Sequence, residues 1–226
     1  YDSHRCEGHR GTDAVAAACS RDTPVIRQLV LASDNQGKLQ ELINLLSDSG
    51  FSVVGQGALG VTPVEETGET FVENAILKAR NAARQTGHPA IADDSGIEVD
   101  ALGGAPGVYS ARFAGERASD SENLSKMLSQ LVDVPLEERQ ARFRCLMVYL
   151  RRADDPAPLI CEETWSGCIT TSPSGENGFG YDPVFWVPEE NCTAAELSPT
   201  RKNILSHRAR ALRLLVDRLK ESVGDF

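Results

Sequence analysis

Hydrophobic and polar positions first fall into order at Val25-Ile26-Arg27-Gln28-Leu29-Val30-Leu31-Ala32, a β-branched run of strand length that turns polar at Ser33-Asp34-Asn35-Gln36-Gly37-Lys38. Leu39, Leu42, Ile43 and Leu46 then recur at helical spacing, so an amphipathic helix is expected after the polar loop. Phe51-Ser52-Val53-Val54 reads as a second strand. Thr70 with Glu73 makes a capping box and Gly87 a natural stop, which predicts a helix from about Phe71 to Thr86 with Val72, Ile76, Ala79 and Ala83 inward. Thr70, Asn74, Lys78 and Asn81 form a separate polar stripe on it, ordinarily a solvated face.

Pro89-Ala90-Ile91-Ala92 is a short apolar run that meets Asp93-Asp94-Ser95-Gly96 before Ile97-Glu98-Val99 resumes the pattern. We expect a buried strand delivering two acids to its carboxyl end, the edge where open α/β sheets bind ligands; a polar turn is the plainer alternative. Side chains alternate along an extended segment, so Asp93 and Asp94 are expected on opposite faces, one of them toward the crevice. Gly103-Gly104-Ala105-Pro106-Gly107 is a rigid turn cluster, and Ser119 with Glu122 caps a helix running to about Val132. Arg142–Arg151 and Leu159–Ile169 are two long strands joined by a short, Pro-containing polar link, which predicts an antiparallel hairpin. With parallel βα units before it, the fold class is α/β with a mixed sheet flanked by helices. A last helix is expected from Ser198-Pro199 to about Glu221, with Leu205, Ala209, Leu212, Val216 and Leu219 buried and Arg201, Lys202, His207 and Arg208 off that stripe.

Composition narrows the partners. The 226 residues, 41% hydrophobic and 25% charged, suit one large domain or two closely joined lobes. Apolar runs fall short of the ~18 residues that a membrane-spanning helix needs. A formal charge of -10 argues against broad binding to nucleic acid or anionic membrane, so an anionic ligand would need a local basic pocket. Cys6, Cys19, Cys145, Cys161, Cys168 and Cys192 show no CxxC spacing and read as reduced thiols of a cytosolic protein. Residues 1–24 lack periodicity and are expected to be a disordered or non-native extension before a single domain at 25–226.

Three stretches carry candidate chemistry. Strand, polar loop, helix is the layout that aims backbone N–H groups at an anion, and Lys38 adds a point charge and Ser33 a hydroxyl; an ordinary βα turn has the same layout. The loop is neither a Walker loop nor GxGxxG. Glu65 or Glu66 with Asp94 would supply hard oxygen ligands suited to Mg²⁺, although acid clusters are often just solvated. Phe179, between Gly178 and Gly180, offers a stacking surface for a base or else packs into the core. The cations of the last helix outline an anion pocket or a solvated basic face.

Taken in order, Ser33–Lys38, Glu65-Glu66-Thr67-Gly68 with Thr70–Ala75, Ala92–Gly96, Gly103–Gly107 with Tyr109–Arg112, Phe179–Pro183 and Ser206–Arg208 resemble the motif series of the inosine/xanthosine triphosphate pyrophosphatase family, most nearly its bacterial dITP/XTP members. The resemblance covers about Val25 to Val223. It implies a Mg²⁺-dependent, cytoplasmic homodimer that hydrolyses ITP, dITP and XTP to the monophosphate and pyrophosphate by metal-assisted water attack at the α-phosphorus. It also implies two lobes with the active site between them. By motif, Ser33, Asp34, Asn35, Gln36, Gly37 and Lys38 would form the triphosphate loop, Asp94 the general base and a metal ligand, and Ser95 a substrate contact. Glu65 or Glu66 would be the second metal carboxylate, and Lys78 would face phosphate. Phe179, Gly180, Tyr181 and Asp182 would hold base and sugar, with Lys202, His207 and Arg208 completing the pocket. Asp34 departs from the family pattern, in which relatives often carry Gly, and is compatible with phosphate only if it points away.

Overall fold

The computed structural model describes residues 27–47 and 50–223, so the expected N-terminal extension, the first two residues of the first strand, Cys6 and Cys19 lie outside the described residues. One seven-stranded sheet runs through the molecule in the order β2-β1-β3-β4-β5-β6-β7. Its strands are β1 (Arg27–Leu31), β2 (Phe51–Gly55), β3 (Ala90–Val99), β4 (Gln140–Leu150), β5 (Leu159–Ile169), β6 (Phe185–Val187) and β7 (Cys192–Thr193). β1 pairs in parallel with β2 and β3, whereas every pairing from β3 to β7 is antiparallel, so the sheet is mixed as the hairpin pattern predicts.

Helices α1 (Gln36–Leu46) and α5 (His207–Val223) cover one face and α2 (Phe71–Thr86) the other. Alternation along β1 sends Leu29 and Leu31 toward Leu42, Leu46, Leu212 and Leu215, and Val30 and Ala32 toward the alanines 75, 79, 82 and 83 of α2. A further core lies where β3, β4 and β5 extend past these helices: Ile97, Phe143, Trp165 and Phe185 pack there against Met127 and Leu131 of the region of α3 (Asp120–Gln130). The sheet thus joins two lobes, and the cleft lies between them.

Both capping boxes form as the sequence predicts, Thr70 with Glu73 and Ser119 with Glu122. Four expectations need correction. Asp93 and Asp94 neither end a strand nor make a turn: each is paired across to β4, opposite Met147 and Leu146, so the ladder carries the strand through them to Val99. The last helix is two helices, because Ser206 is extended (φ -63°, ψ 148°) and its Oγ accepts from the Ala209 N–H (3.3 Å), an N-cap bond that competes with continuing α4 (Pro199–Leu205). Leu205 consequently packs with the α3 core rather than along α5. Ile43 is exposed, and Leu39 and Leu45 contribute to the core of α1 in its place. The α2 polar stripe is not a solvated face, since Asn74 is fully buried and Lys78 reaches toward β3.

Candidate active site

β1 stops pairing with β3 at Ile91, and among the described residues β3 has no backbone partner on that side until Ile97 N–H donates to Ser110 Oγ (2.9 Å). A cleft of about 740 Å³ opens at the far end of this stretch, lined by Ser95 and Gly96 of β3 and by Asn35, Lys38, Phe179, Lys202, His207 and Arg208 among others. The cleft is bordered not by an end of β3, which runs on to Val99, but by the turn after β1, where the chain leaves the sheet for α1.

In the β1–α1 turn, Ser33 Oγ accepts from Asn35 N–H (3.2 Å) and Asn35 Oδ1 caps the helix by accepting from Lys38 N–H (3.1 Å). Gln36 and Gly37 are the exposed first residues of α1. Asp34 is directed elsewhere: its Oδ2 accepts from Gln56 Nε2 (3.0 Å). Gln56 had no signal in the sequence, because only the fold brings it to this loop.

The two adjacent acids serve opposite faces of β3. Asp93 faces α1 and α5, where Lys38 Nζ donates to Oδ1 (2.8 Å) and Oδ2 (2.7 Å) and Arg208 Nε to Oδ2 (3.3 Å). Burial alone would raise its pKa, but Lys38 and Arg208 outweigh it and hold the carboxyl far below the usual range. Asp94 faces α2, where Lys78 Nζ donates to its Oδ1 (3.1 Å) and to Glu66 Oε1 (2.8 Å). Burial pushes the Asp94 pKa up, Lys78 opposes this, and the nearby Glu66 adds to it. Lys78 is held above its ordinary value, since Asp94 and Glu66 outweigh the lowering effect of its burial. Ser95, next on the strand, donates from Oγ to Asp93 Oδ2 (3.3 Å) and lines the cleft.

Of the two candidate glutamates, the structure brings Glu66 to Asp94 and leaves Glu65 exposed. Asp94 Oδ2 is buried and, among the described residues, has no partner at hydrogen-bond geometry. Among the described residues no group of three or more His, Cys, Asp or Glu gathers to hold a metal. Asp94 and Glu66, bridged by Lys78 and with one oxygen unpartnered, are the hard carboxylate donors here that could hold a divalent metal ion.

The other wall carries the aromatic. Phe179 is 57% exposed, not in the core, and Lys202 Nζ and the Arg208 guanidinium lie 5.1 and 5.7 Å from its ring centre. Its loop is fixed from both sides: Asp182 accepts from the Phe179 N–H (2.8 Å) and pairs with Lys202, and Gly180 N–H donates to Asp120 Oδ2 (2.7 Å). Gly178 sits at φ +80° with the Asp182 carboxylate where a Cβ would be, so a side chain is excluded there. Tyr181 is buried, its hydroxyl donating to Ser110 O (2.8 Å), and forms part of the wall rather than a free contact. His207 stacks parallel on Phe143 (4.9 Å, 6°), and its Nδ1 is buried without a partner. Burial, then the nearby Arg208 and Lys202, lower its pKa well below the ordinary value, so the imidazole is neutral at pH 7.

Comparison with known proteins bears on this arrangement. The Ham1 family model matches residues 29–218. A dITP/XTP pyrophosphatase from Vibrio cholerae is 58% identical over 196 residues, 87% of this chain and 98% of that one, and one from Shigella flexneri is 60% identical over 86% of this chain and 99% of its own. The solved structure of a HAM1 protein from Coxiella burnetii superposes with a TM-score of 0.83 at 50% identity, covering 86% of this chain and 99% of that one. A structure described as a nucleoside-triphosphatase / dITP/XTP pyrophosphatase from Mycobacterium abscessus gives 0.70 at 41% identity over 83% of this chain and 97% of that one. The resemblance drawn from six ordered motifs is thereby upheld over nearly all the described residues, and the chain belongs to the Ham1 family.

Proposed function

We propose that the protein hydrolyses the deaminated purine nucleoside triphosphates ITP, dITP and XTP to the monophosphate and pyrophosphate, removing them from the nucleotide pool. One observation carries this reading: β3 presents Asp94, which shares Lys78 with Glu66, on one face and Asp93, which holds Lys38 and Arg208, on the other, and Lys38, Arg208 and the exposed Phe179 line one cleft. Relatives about 58–60% identical that bear the name dITP/XTP pyrophosphatase support it.

The chain's own groups divide the work. Lys38 and the β1–α1 turn bind the triphosphate, charge against charge. Asp94 accepts the proton of the attacking water, a role favoured by a carboxyl whose pKa burial has raised. Glu66 and Asp94 would hold Mg²⁺, whose charge, when bound, offsets that building up on the phosphates. Phe179 stacks on the base, and a 6-keto purine offers an acceptor to Arg208 or to neutral His207 where adenine offers a donor, so ATP leaves a buried group unpaired and is rejected. Among the described residues no helix is long and apolar enough to cross a membrane. We infer a cytoplasmic homodimer in which residues 25–226 act as one two-lobed domain.

Purified protein given Mg²⁺ and ITP, dITP, XTP, GTP or ATP, with pyrophosphate and phosphate measured separately, tests the proposal. Pyrophosphate from the first three and little from ATP is expected, and GTP, which shares the 6-keto group, reports whether the site discriminates at position 2. Phosphate from every substrate would make it a general phosphohydrolase, and tight ITP binding without turnover a binding module. Light scattering at micromolar concentration tests the dimer.

A further inference from the structure

We propose that Asp93 is a positioning residue for substrate binding, joining the lysine of the β1–α1 turn to the arginine of α5 through one buried carboxylate; this rests on the reading of the cleft as a nucleoside triphosphate site. The Asp93 side chain is 4% exposed, against 22% for Lys38 and 18% for Arg208. It lies on β3, an interior strand that β4 pairs along its full length. The cations come from two separate helices, and they are long, flexible side chains that lose rotamer freedom on binding an anion unless something holds them beforehand. Asp93 does so, taking Lys38 Nζ on both oxygens and Arg208 Nε on Oδ2, while Ser95 Oγ steadies that same oxygen. Arg208 in turn underlies the Phe179 ring, so the carboxylate links the phosphate end of the cleft to its base end. The triad of one carboxylate and two cations is itself net positive, in a chain whose overall charge is -10.

A simpler role makes the opposite prediction. If Asp93 merely occupied Lys38 in competition with phosphate, its removal would free the lysine and tighten binding. If Asp93 positions the two cations, its removal lets them scatter and binding weakens.

The experiment compares wild type, Asp93→Asn, Asp93→Glu, Lys38→Met and the Asp93→Asn/Lys38→Met double variant. Wild-type release of pyrophosphate from ITP is established first, so a failure there sinks the substrate assignment and not the role of Asp93. With turnover in hand, Asp93→Asn is expected to raise KM for ITP about tenfold or more and to weaken inorganic tripolyphosphate binding equally, with kcat changed less than about threefold. In the double variant the two losses should not add, because they remove one interaction. Asp93→Glu keeps the charge but moves the carboxylate by a methylene, so it should raise KM by about threefold or more while folding normally; it also serves if Asn at this buried position prevents folding. Unchanged or tighter tripolyphosphate binding in Asp93→Asn, full additivity with Lys38→Met, or a wild-type KM in Asp93→Glu would each overturn the proposal.

Discussion

Asp93 and Asp94 are consecutive, yet their carboxylates pair with lysines on opposite faces of β3, Asp93 with Lys38 at 2.7 Å and Asp94 with Lys78 at 3.1 Å. Because neighbouring strand residues point to opposite faces, two acids in a row can serve two different tasks at one open edge. For Asp94 the proposed task is to take a proton. Replacing it with Asn keeps the volume and removes the base, so pyrophosphate release at saturating ITP should fall roughly a hundred- to ten-thousand-fold, the usual worth of a positioned base. Near-normal turnover in that variant would refute the mechanism.

Glu65 and Glu66 should separate cleanly. Glu66 reaches Lys78 beside Asp94, whereas Glu65 is exposed. Glu66→Gln is expected to raise the Mg²⁺ concentration for half-maximal activity by about tenfold or more, a loss that even groups supporting a metal ligand produce. Glu65→Gln should stay within about twofold of wild type, as surface substitutions do. Mg²⁺ titrations of both variants decide it, and the reverse result would move the metal site to Glu65.

Phe179 is an exposed aromatic with two cations near its ring, which leaves ring surface on which a base can stack. Stacking contributes about 1–3 kcal/mol per base, so Phe179→Ala should raise KM for ITP about tenfold and Phe179→Trp should not. Tripolyphosphate, which has no base, should bind both variants like wild type. Equal weakening of the two ligands by Phe179→Ala would show instead that the ring only props the cations.

The β4–β5 hairpin supplies a stability prediction. Buried Asp155 accepts from Arg151 Nε (2.8 Å) and Nη2 (2.7 Å) and from the N–H groups of Arg151 (3.0 Å) and Ala157 (3.1 Å), and these bonds, Arg151 foremost, hold its pKa far below the usual carboxylate value. A folded pKa below the unfolded one means that the unfolded chain binds the proton first as pH falls. The contribution is therefore complete above the unfolded value of about 3.9 and is lost progressively below it. Asp155→Asn should lower the unfolding free energy at pH 7 by about 1–3 kcal/mol, because a buried carboxylate accepting charge-assisted hydrogen bonds becomes a neutral amide. Urea midpoints of wild type and variant should converge as the pH drops from 5 toward 2; a gap that stays constant would assign the effect to packing.

Local chemistry was enough to place most elements, since a capping box, a stop glycine or a β-branched run acts over a few residues. The α2 boundaries at Phe71 and Thr86, the β4–β5 hairpin and the polar turn after β1 all follow from such neighbours. What the sequence could not contain was which distant groups would meet. That β3 runs on through two carboxylates depended on β4 being there to pair with it, and the choice of Glu66 over Glu65 depended on where Lys78 projects from α2. The break at Ser206 that turns His207 and Arg208 to the cleft, the turning of Asp34 to Gln56 and the union of Lys38 with Arg208 through Asp93 were likewise settled in three dimensions. A motif records the residue types that a site requires, whereas ion pairing and burial depend on distances that exist only once the sheet is assembled.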